Sequence, residues 1–207
     1  MEQGTEEWFA ARLGKITASR VKDVMARTKS GPAATRKNYM MELLCQRLTG
    51  QREESFTNAA MARGTELEPI ARSAYEILTD ETVTEVGFGL HPGFDYIGAS
   101  PDGLVGDSGM LEIKCPNTAS HIACIQSGKH DSRYTLQMQC QMACFGREWC
   151  DFASFDDRLP EELQLFVVRV ARDDELIGEM LEACAVFERE LFDLEQSMLD
   201  KISGAVK

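Results

Sequence analysis

The chain has 207 residues, 43% of them apolar, and a formal net charge of −12, which is typical of a globular protein rather than of a disordered or fibrous chain. It lacks the run of about 18 apolar residues that a membrane helix needs, and its acidic N-terminus has no apolar signal-peptide region, so we expect a cytoplasmic protein without membrane contact. Residues 11–50 nevertheless hold nine Lys and Arg against two acids, a local charge of +7, whereas residues 151–207 are strongly acidic. Any polyanionic partner is therefore expected at the N-terminal quarter.

The cysteines are an odd number and include no Cys-x-x-Cys pair; they lie at positions 45, 115, 124, 140, 144, 150 and 184. Only three histidines are present, and none lies at zinc-finger spacing from Cys140 and Cys144. We therefore interpret the cysteines as reduced, buried thiols, with a metal cluster as the alternative.

Residues 5–13 are predicted to form a short helix, because Thr5 is a good N-cap, acids follow it in the first turn and Gly14 ends the pattern. A second helix is predicted over residues 18–26. Three anion-binding side chains lie near its start: Arg12, Thr17 and Ser19. They favour a phosphate site at a helix N-terminus, and the alternative is an exposed arginine with two capping hydroxyls.

Residues 27–37 are basic and contain Gly and Pro, which predicts a loop. This loop is either simply solvated or a mobile arm over a polyanionic backbone, with Arg27 and Lys29 best placed for that contact. A helix with an apolar, core-facing stripe is predicted over 38–48.

Residues 58–78 predict mainly helix, with a break near Gly64–Thr65, because Gly64 and Pro69 disfavour a continuous helix. The remaining strands are expected at 84–90, 95–99, 110–115, 149–155 and 163–170. The remaining helices are expected at 121–127, 132–145 and 173–203. Together these elements predict an α/β fold with a central mixed sheet of about five strands flanked by helices.

The stretch from Gly98 to Pro116, GASPDGLVGDSGMLEIKCP, combines two turns with a strand. Asp102 lies in a Pro-Asp-Gly turn, and Glu112 and Lys114 are two residues apart in the strand, so their side chains share one face beside that turn. Two carboxylates can hold a hard cation through oxygen, and an ammonium can orient or deprotonate a water, or offset charge on a phosphorane. The stretch therefore predicts a Mg²⁺-dependent phosphodiester hydrolase.

Asp102 followed by Glu112-Ile113-Lys114 fits the Asp…Glu-x-Lys signature of the restriction-endonuclease-like nucleases. Four ordered blocks extend the likeness over roughly residues 5 to 156: WFAARLGKITAS, SPDGL, LEIKCP and YTLQMQCQM. With these blocks the chain resembles the phage lambda exonuclease family, the YqaJ-type viral recombinases.

The resemblance implies a single restriction-endonuclease-like domain, a central mixed sheet flanked by helices, over residues 1–207. Its expected parts are basic N-terminal helices (1–50), a catalytic core (58–156) and an acidic C-terminal strand and helix (157–207).

The resemblance also implies two Mg²⁺ ions per active site, with Mn²⁺ as a possible substitute. One ion would bind Asp102, Glu112 and the carbonyl oxygen of Ile113. The other would bind Glu68 and Asp102. Two ions about 3.5–4 Å apart would stabilise the attacking and leaving oxygens.

Two further roles follow from the same resemblance. Lys114 would position the attacking water, helped by Gln137, the first glutamine of the family's Y-x-x-Q-x-Q block; a helix glutamine is otherwise ordinary surface. Glu68 is preferred to Glu66 as the helix ligand, because it fits the block RG-x-x-x-E-x-x-A that begins at Arg63.

For the partner, the resemblance implies that Arg12, Ser19 and Ser100 grip the 5′ phosphate of a DNA end. The expected DNA-binding residues are Arg12, Ser19, Ser100, Thr17, Arg27 and Lys29. The implied activity is 5′→3′ digestion of one strand of linear double-stranded DNA to 5′-mononucleotides, for phage-type single-strand-annealing recombination in a bacterial host. A ring-shaped homotrimer and a phage annealing protein are the implied partners.

Two other functions remain open. One is another nuclease of the same superfamily, either RecB-like or a structure-specific endonuclease, which defined cut lengths would indicate. The other is a non-catalytic subunit that binds DNA ends, which DNA binding without Mg²⁺-dependent turnover would indicate.

Overall fold

The computed structural model describes residues 1–29, 31–52 and 59–205, with side chains as far as residue 201. The helices are α1 (Glu6–Arg12), α2 (Val21–Val24), α3 (Ala34–Thr49), α4 (Ala59–Thr79), α5 (Thr118–Ser127), α6 (Thr135–Phe145) and α7 (Asp174–Ala205), with short 3₁₀ turns at Ala18–Arg20, Ser132–Tyr134 and Glu161–Leu163. The strands are β1 (Ile16–Thr17), β2 (Arg27–Thr28), β3 (Gly31–Pro32), β4 (Val83–Thr84), β5 (Gly89–His91), β6 (Phe94–Ala99), β7 (Gly103–Val105), β8 (Gly109–Lys114), β9 (Trp149–Phe155) and β10 (Leu165–Ala171).

The central sheet has five strands in the order β10-β9-β8-β7-β4. It is mixed, because β8 and β9 run parallel while the other neighbours are antiparallel. A second sheet, in the order β1-β6-β5, lies beside it, and β2 and β3 form a separate hairpin. The predicted α/β fold with a mixed sheet flanked by helices is confirmed.

Strand β8 alternates between two cores. Leu111 and Ile113 pack in the cluster that contains residues of α4, whereas Met110 packs with Met138 and Met142 of α6. The opposite side of α6 contributes to a third cluster with α2, α3 and α7. Helix α6 therefore joins the two sheets, and the side of β8 that carries Glu112 and Lys114 is the side that α6 covers.

The predicted number of strands in the central sheet is confirmed, but one of its predicted members is wrong. Residues 95–99 belong to β6 in the second sheet, and β7, which the sequence analysis did not predict, lies in the central sheet instead. The chain crosses between the sheets at 100–102, where Pro101 has no N–H to continue a β-ladder. Asp102 therefore lies on the crossing between two sheets.

The continuous strand predicted at 84–90 is also wrong. Residues 83–84 pair with β7 and residues 89–91 pair with β6, so the two short strands lie in different sheets. The interval between them is covered by the N-terminus: the side-chain amide of Gln3 donates to the carbonyl of Val86, 3.0 Å away, and a Cβ on Gly87 would lie 2.3 Å from the carbonyl oxygen of Met1.

Two predicted helix boundaries differ from the structure. Helix α4 continues through Gly64 and Pro69 without the predicted break, because a buried stripe packs on the central sheet and outweighs local propensity; it comprises Leu67, Ala71 and Tyr75. The loop predicted at 27–37 instead contains the β2–β3 hairpin and the start of α3. The first turn of α3 is fixed by Arg36, which donates to the carbonyl of Val24 at 3.2 Å and forms an ion pair with Glu190 of α7.

Helix α7 uses its acids to hold the basic N-terminal part of the chain. The guanidinium of Arg47 in α3 makes a bidentate ion pair with the carboxylate of Glu188, with N–O distances of 2.9 and 2.7 Å. Its Nε also donates to the carbonyl of Gly14 at 3.0 Å. Gly14 has φ +68, and a Cβ there would lie 2.9 Å from Cγ of Arg47. The arginine thus joins α7, α3 and the turn after α1. Within the described residues, no helix combines the length and hydrophobicity needed to cross a membrane.

We predict that Arg47→Met lowers the free energy of unfolding by about 1.5–3 kcal/mol, because Glu188 and the Gly14 carbonyl lose charge-assisted hydrogen bonds. Chemical denaturation of the full chain measures this change. Arg133→Met is the control, since Arg133 is exposed and its pair with Asp131 is local in sequence; its effect should stay within about 1 kcal/mol. Equal effects of the two variants would contradict a special role for Arg47.

Candidate active site and basic cleft

The Asp102 carboxylate is fixed against β8. Its Oδ2 accepts a hydrogen bond from the backbone N–H of Ile113 at 2.6 Å. Burial raises the pKa of Asp102 well above its usual value, and the negative charge of Glu112 raises it further. Two acids are therefore held close together at the point where the chain crosses between the sheets.

Glu112 is fully buried, and both of its oxygens are engaged. Oε1 contacts the ammonium of Lys114 and accepts from the side-chain amide of Gln137 at 2.5 Å, and Oε2 accepts from the amide of Gln141 at 2.6 Å. Burial opposes the charged form of Lys114, but Glu112 and Asp102 outweigh it and raise the pKa of the ammonium. Lys114 is therefore a protonated donor at neutral pH.

A cleft of about 690 Å³, here called the active cleft, opens beside these groups. Its lining includes Glu68 of α4 together with Asp102, Ile113 and Lys114. Burial raises the pKa of Glu68, although Arg72, 2.7 Å away, opposes that shift. Glu66 is exposed and does not line this cleft. Of the two acids weighed in the sequence, Glu68 is the one that faces the candidate site.

The donor set fits a hard divalent cation. It consists of carboxylates and one backbone carbonyl, which are the ligands that Mg²⁺ and Mn²⁺ prefer. Burial is the main cause of the raised pKa values of Asp102 and Glu68, and the charge of Glu112 raises both further. Across residues 1–29, 31–52 and 59–205, however, no three His, Cys, Asp or Glu side chains stand close enough together to hold an ion. Glu68 is paired with Arg72, and Glu112 with Lys114. The metal set therefore stays a prediction.

A second cleft, of about 350 Å³ and here called the basic cleft, adjoins the first. Three of the predicted phosphate residues line it, Arg12, Thr17 and Ser19, and Met61 lies on the walls of both clefts. The hydroxyls of Thr17 and Ser19 are 3.4 Å apart. The structure thus brings the predicted anion-binding side chains to one place.

Arg12 is positioned by an aromatic side chain and a hydroxyl. Its guanidinium lies 4.0 Å from the ring centroid of Trp8, and one of its nitrogens donates to Ser100 Oγ at 3.4 Å; the indole N–H of Trp8 donates to the same oxygen at 2.9 Å. Burial lowers the pKa of Arg12 to about 10. By contrast, Arg20 in the same cleft pairs with Asp23 and with Glu42. Arg12 pairs with no carboxylate of the described residues, so its charge is available to an anion.

Ser100 contacts this group through its hydrogen bond to Arg12, whereas Arg27 and Lys29 lie elsewhere. Both lie at the β2–β3 hairpin: Arg27 is in β2 and lines a different cavity, beside α7, and Lys29 is exposed at the turn. The hairpin therefore lies outside the basic cleft, and the predicted DNA contact of Arg27 and Lys29 stays a prediction.

Sequence reasoning missed the role of Gln141, whose amide donates to Glu112. Gln141 lies four residues after Gln137 on α6, so helical spacing alone places both glutamines on one face. Arg52 lines the basic cleft, and no local pattern singles it out. Tyr134, the first residue of the Y-x-x-Q-x-Q block, lines the active cleft. The seven cysteines are free thiols, five of them buried.

A family model described as a YqaJ-like viral recombinase domain matches residues 7–148. Two crystal structures of LHK-Exo are each 58% identical to this chain, with a TM-score of 0.91 over 97% of this chain and 100% of the other; one is described as an alkaline exonuclease from Laribacter hongkongensis and one as a complex with dAMP. A phage-related exonuclease from Haemophilus somnus 129PT, 18% identical with a TM-score of 0.70 over 89% of this chain and 96% of that one, shares the fold. No curated protein matches the chain.

The recognised blocks, the mixed sheet and the two clefts lie within or beside the segment that the family model covers, and the LHK-Exo structures extend the likeness over nearly the whole chain. This chain therefore belongs to the YqaJ-like viral recombinase domain family, and its relationship to alkaline exonucleases supports a nuclease role.

Proposed function

We propose that this nuclease is a Mg²⁺-dependent 5′→3′ exonuclease that digests one strand of linear duplex DNA from a 5′-phosphorylated end. The observation that carries the proposal is the junction of the two clefts. Arg12 donates to Ser100, which lies two residues before Asp102, so the chain itself sets the distance between the anion-binding arginine and the acids. A terminal phosphate held at a constant distance from the acids favours one-nucleotide steps, since each cut presents a new 5′ phosphate.

The products expected from this arrangement are 5′-mononucleotides. Structure determination of LHK-Exo with dAMP, a mononucleotide, supports that product class. The local excess of basic residues at 11–50 supports a duplex approaching from the basic cleft rather than from the acidic C-terminal helix.

In this proposal the metal-holding groups are Glu68, Asp102, Glu112 and the carbonyl of Ile113. When bound, Mg²⁺ supplies Lewis-acid stabilisation of the negative charge on the phosphate oxygens. Lys114, protonated beside Glu112, donates to a phosphate oxygen or to the attacking water and offsets developing charge. Gln137 holds the Glu112 carboxylate from the α6 side, so that Lys114 does not have to fix it alone.

We further propose that the protein works as a ring-shaped homotrimer in the bacterial cytoplasm, with a phage annealing protein as its partner. The support is the family membership together with apolar side chains of α4 that are exposed in the single chain: Ile70, Ile77 and Leu78. A ring around the duplex would keep the enzyme on its substrate between cuts.

The proposed activity is tested by incubating the protein with linear duplex that carries a label at either end, with a 5′ phosphate or a 5′ hydroxyl, in Mg²⁺, Mn²⁺, Ca²⁺ or EDTA. We expect release of mononucleotides from the 5′-phosphorylated end in Mg²⁺ or Mn²⁺, and binding without cleavage in Ca²⁺, because the donor set is all oxygen. Cleavage in EDTA, a requirement for zinc, or fragments of defined length would contradict the proposal.

Lys114→Met should lower the single-turnover rate by about 10²–10³-fold, because the charge that offsets the phosphate oxygens is lost. DNA affinity should change little, since Lys114 is one cation of a larger basic surface. Lys129→Met is the control, because Lys129 is an exposed lysine after α5. If Lys114→Met kept the wild-type rate, strand β8 would not be the catalytic strand.

Arg12→Met should reduce the preference for a 5′ phosphate over a 5′ hydroxyl by about 10–100-fold in kcat/KM, which corresponds to a charge-assisted hydrogen bond of about 1.5–3 kcal/mol. Arg27→Met serves as the comparison, because Arg27 lies outside the basic cleft and any duplex contact it makes should affect both substrates equally. An undiminished preference in Arg12→Met would place the phosphate site elsewhere.

A further inference from the structure

Gln141 occupies an unusual position for a glutamine. It is 1% exposed on α6, and its side-chain nitrogen donates to Glu112 Oε2 at 2.6 Å and, more weakly, to the carbonyl oxygen of Ser100 at 3.5 Å. Because an amide nitrogen carries two hydrogens, both contacts can be made at once. The opposite orientation of the amide would set its oxygen against a carboxylate, so the observed orientation is the favourable one.

The other end of this amide is unfavourable for stability. Its Oε1 is buried and has no hydrogen-bond partner in the part of the chain that the structure describes. A buried acceptor without a partner is unfavourable, and an apolar side chain of similar size would avoid the penalty. The contribution of Gln141 must therefore come from its donor side, toward Glu112 and Ser100.

Ser100 lies between the arginine of the basic cleft and the helix that holds Glu112. Its hydroxyl oxygen accepts from Trp8 and Arg12 on the side of the basic cleft, and its carbonyl accepts from Gln141 on the side of the acids. A continuous chain of hydrogen bonds therefore runs from the arginine of the basic cleft, through Ser100 and Gln141, to Glu112.

We propose that Gln141 is a positioning residue that holds the Glu112 carboxylate and the Ser100 backbone in one register, and so links the orientation of a metal ligand to the selection of the 5′ phosphate. The proposal rests on the proposed function, because it assumes a metal at the acids and a phosphate at Arg12. It assigns no contact between Gln141 and the substrate. Loss of the amide should disturb both ends of the hydrogen-bond chain, since Glu112 loses a donor and Ser100 loses its tie to α6.

Gln139 provides a matched control on the same helix. It is 2% exposed, and its amide donates to the carbonyl of Ala171 and accepts from the N–H of Asp173, both at 2.9 Å. It thus ties α6 to the start of α7 and touches neither cleft. Gln139→Met and Gln141→Met make the same chemical change at two equally buried sites.

The test uses the full chain and two readouts. The first is the affinity for Mn²⁺ alone, measured by calorimetry without DNA, and the second is the ratio of kcat/KM for 5′-phosphate and 5′-hydroxyl duplex. We expect Gln141→Met to weaken Mn²⁺ binding by about tenfold or more, as loss of a group that orients a ligand does, and to lower the substrate ratio. Gln139→Met should lower the melting temperature while leaving both readouts at their wild-type values.

The link is overturned if Gln141→Met keeps either the wild-type Mn²⁺ affinity or the wild-type substrate ratio, or if Gln139→Met shifts both readouts equally. Gln141→Leu replaces Gln141→Met if the latter does not fold, and failure of both to fold would mean that the amide serves stability, which also overturns the proposal. A wild-type protein that bound no Mn²⁺ would instead refute the proposed function together with this inference. If the wild-type protein behaves as proposed but the Gln141 variant keeps both wild-type readouts, this inference alone is refuted and the proposed function stands.

Discussion

The fully buried carboxylate of Glu112 is the constraint on which the site depends. An ionised carboxylate removed from water is strongly unfavourable unless charges and hydrogen bonds replace its hydration. Lys114 on the same strand supplies the charge, and the amides of Gln137 and Gln141 supply the remaining donors. Because both glutamines belong to α6, that helix has to lie across β8 in one register. The same helix packs against the second sheet, so satisfying one carboxylate also fixes how the two sheets meet.

That meeting point explains why the acids and the basic cleft are neighbours. The chain leaves the second sheet after Ala99 and enters the central sheet at Gly103, which leaves three residues for the crossing. Ser100 faces the arginine of the basic cleft, and Asp102 bonds to the backbone of β8. A crossing this short cannot stretch to change the distance between the two clefts. Any relative motion of the clefts would have to move one sheet against the other, through the shared packing of α6.

Some of the basic side chains in the N-terminal quarter are paired with acids of the fold, and others are free to meet an anion. Arg36 and Arg47 belong to the basic quarter of the sequence, but both are paired with acids of α7, so the local excess of +7 overstates the field that a polyanion meets. Arg12 keeps its charge free of carboxylates among the described residues and stands in a cleft. The acidic C-terminal helix thus pairs with the arginines that hold the fold together, and it leaves the charge of Arg12 in the basic cleft unpaired among the described residues.

The sequence predicted those parts of the site whose residues lie close together along the chain. Asp102, Glu112 and Lys114 lie within 13 residues, and strand alternation places the last two on one face whatever the rest of the chain does. The sheet that receives residues 95–99, and the pairing of Arg47 with a carboxylate 141 residues away, depend on tertiary packing that no local pattern encodes. Gln141 is intermediate between features set by local spacing and features set by tertiary packing. Its spacing from Gln137 was visible, but its importance follows only from the buried carboxylate opposite, because a glutamine on a helix acquires a role when the partner that it must satisfy is known.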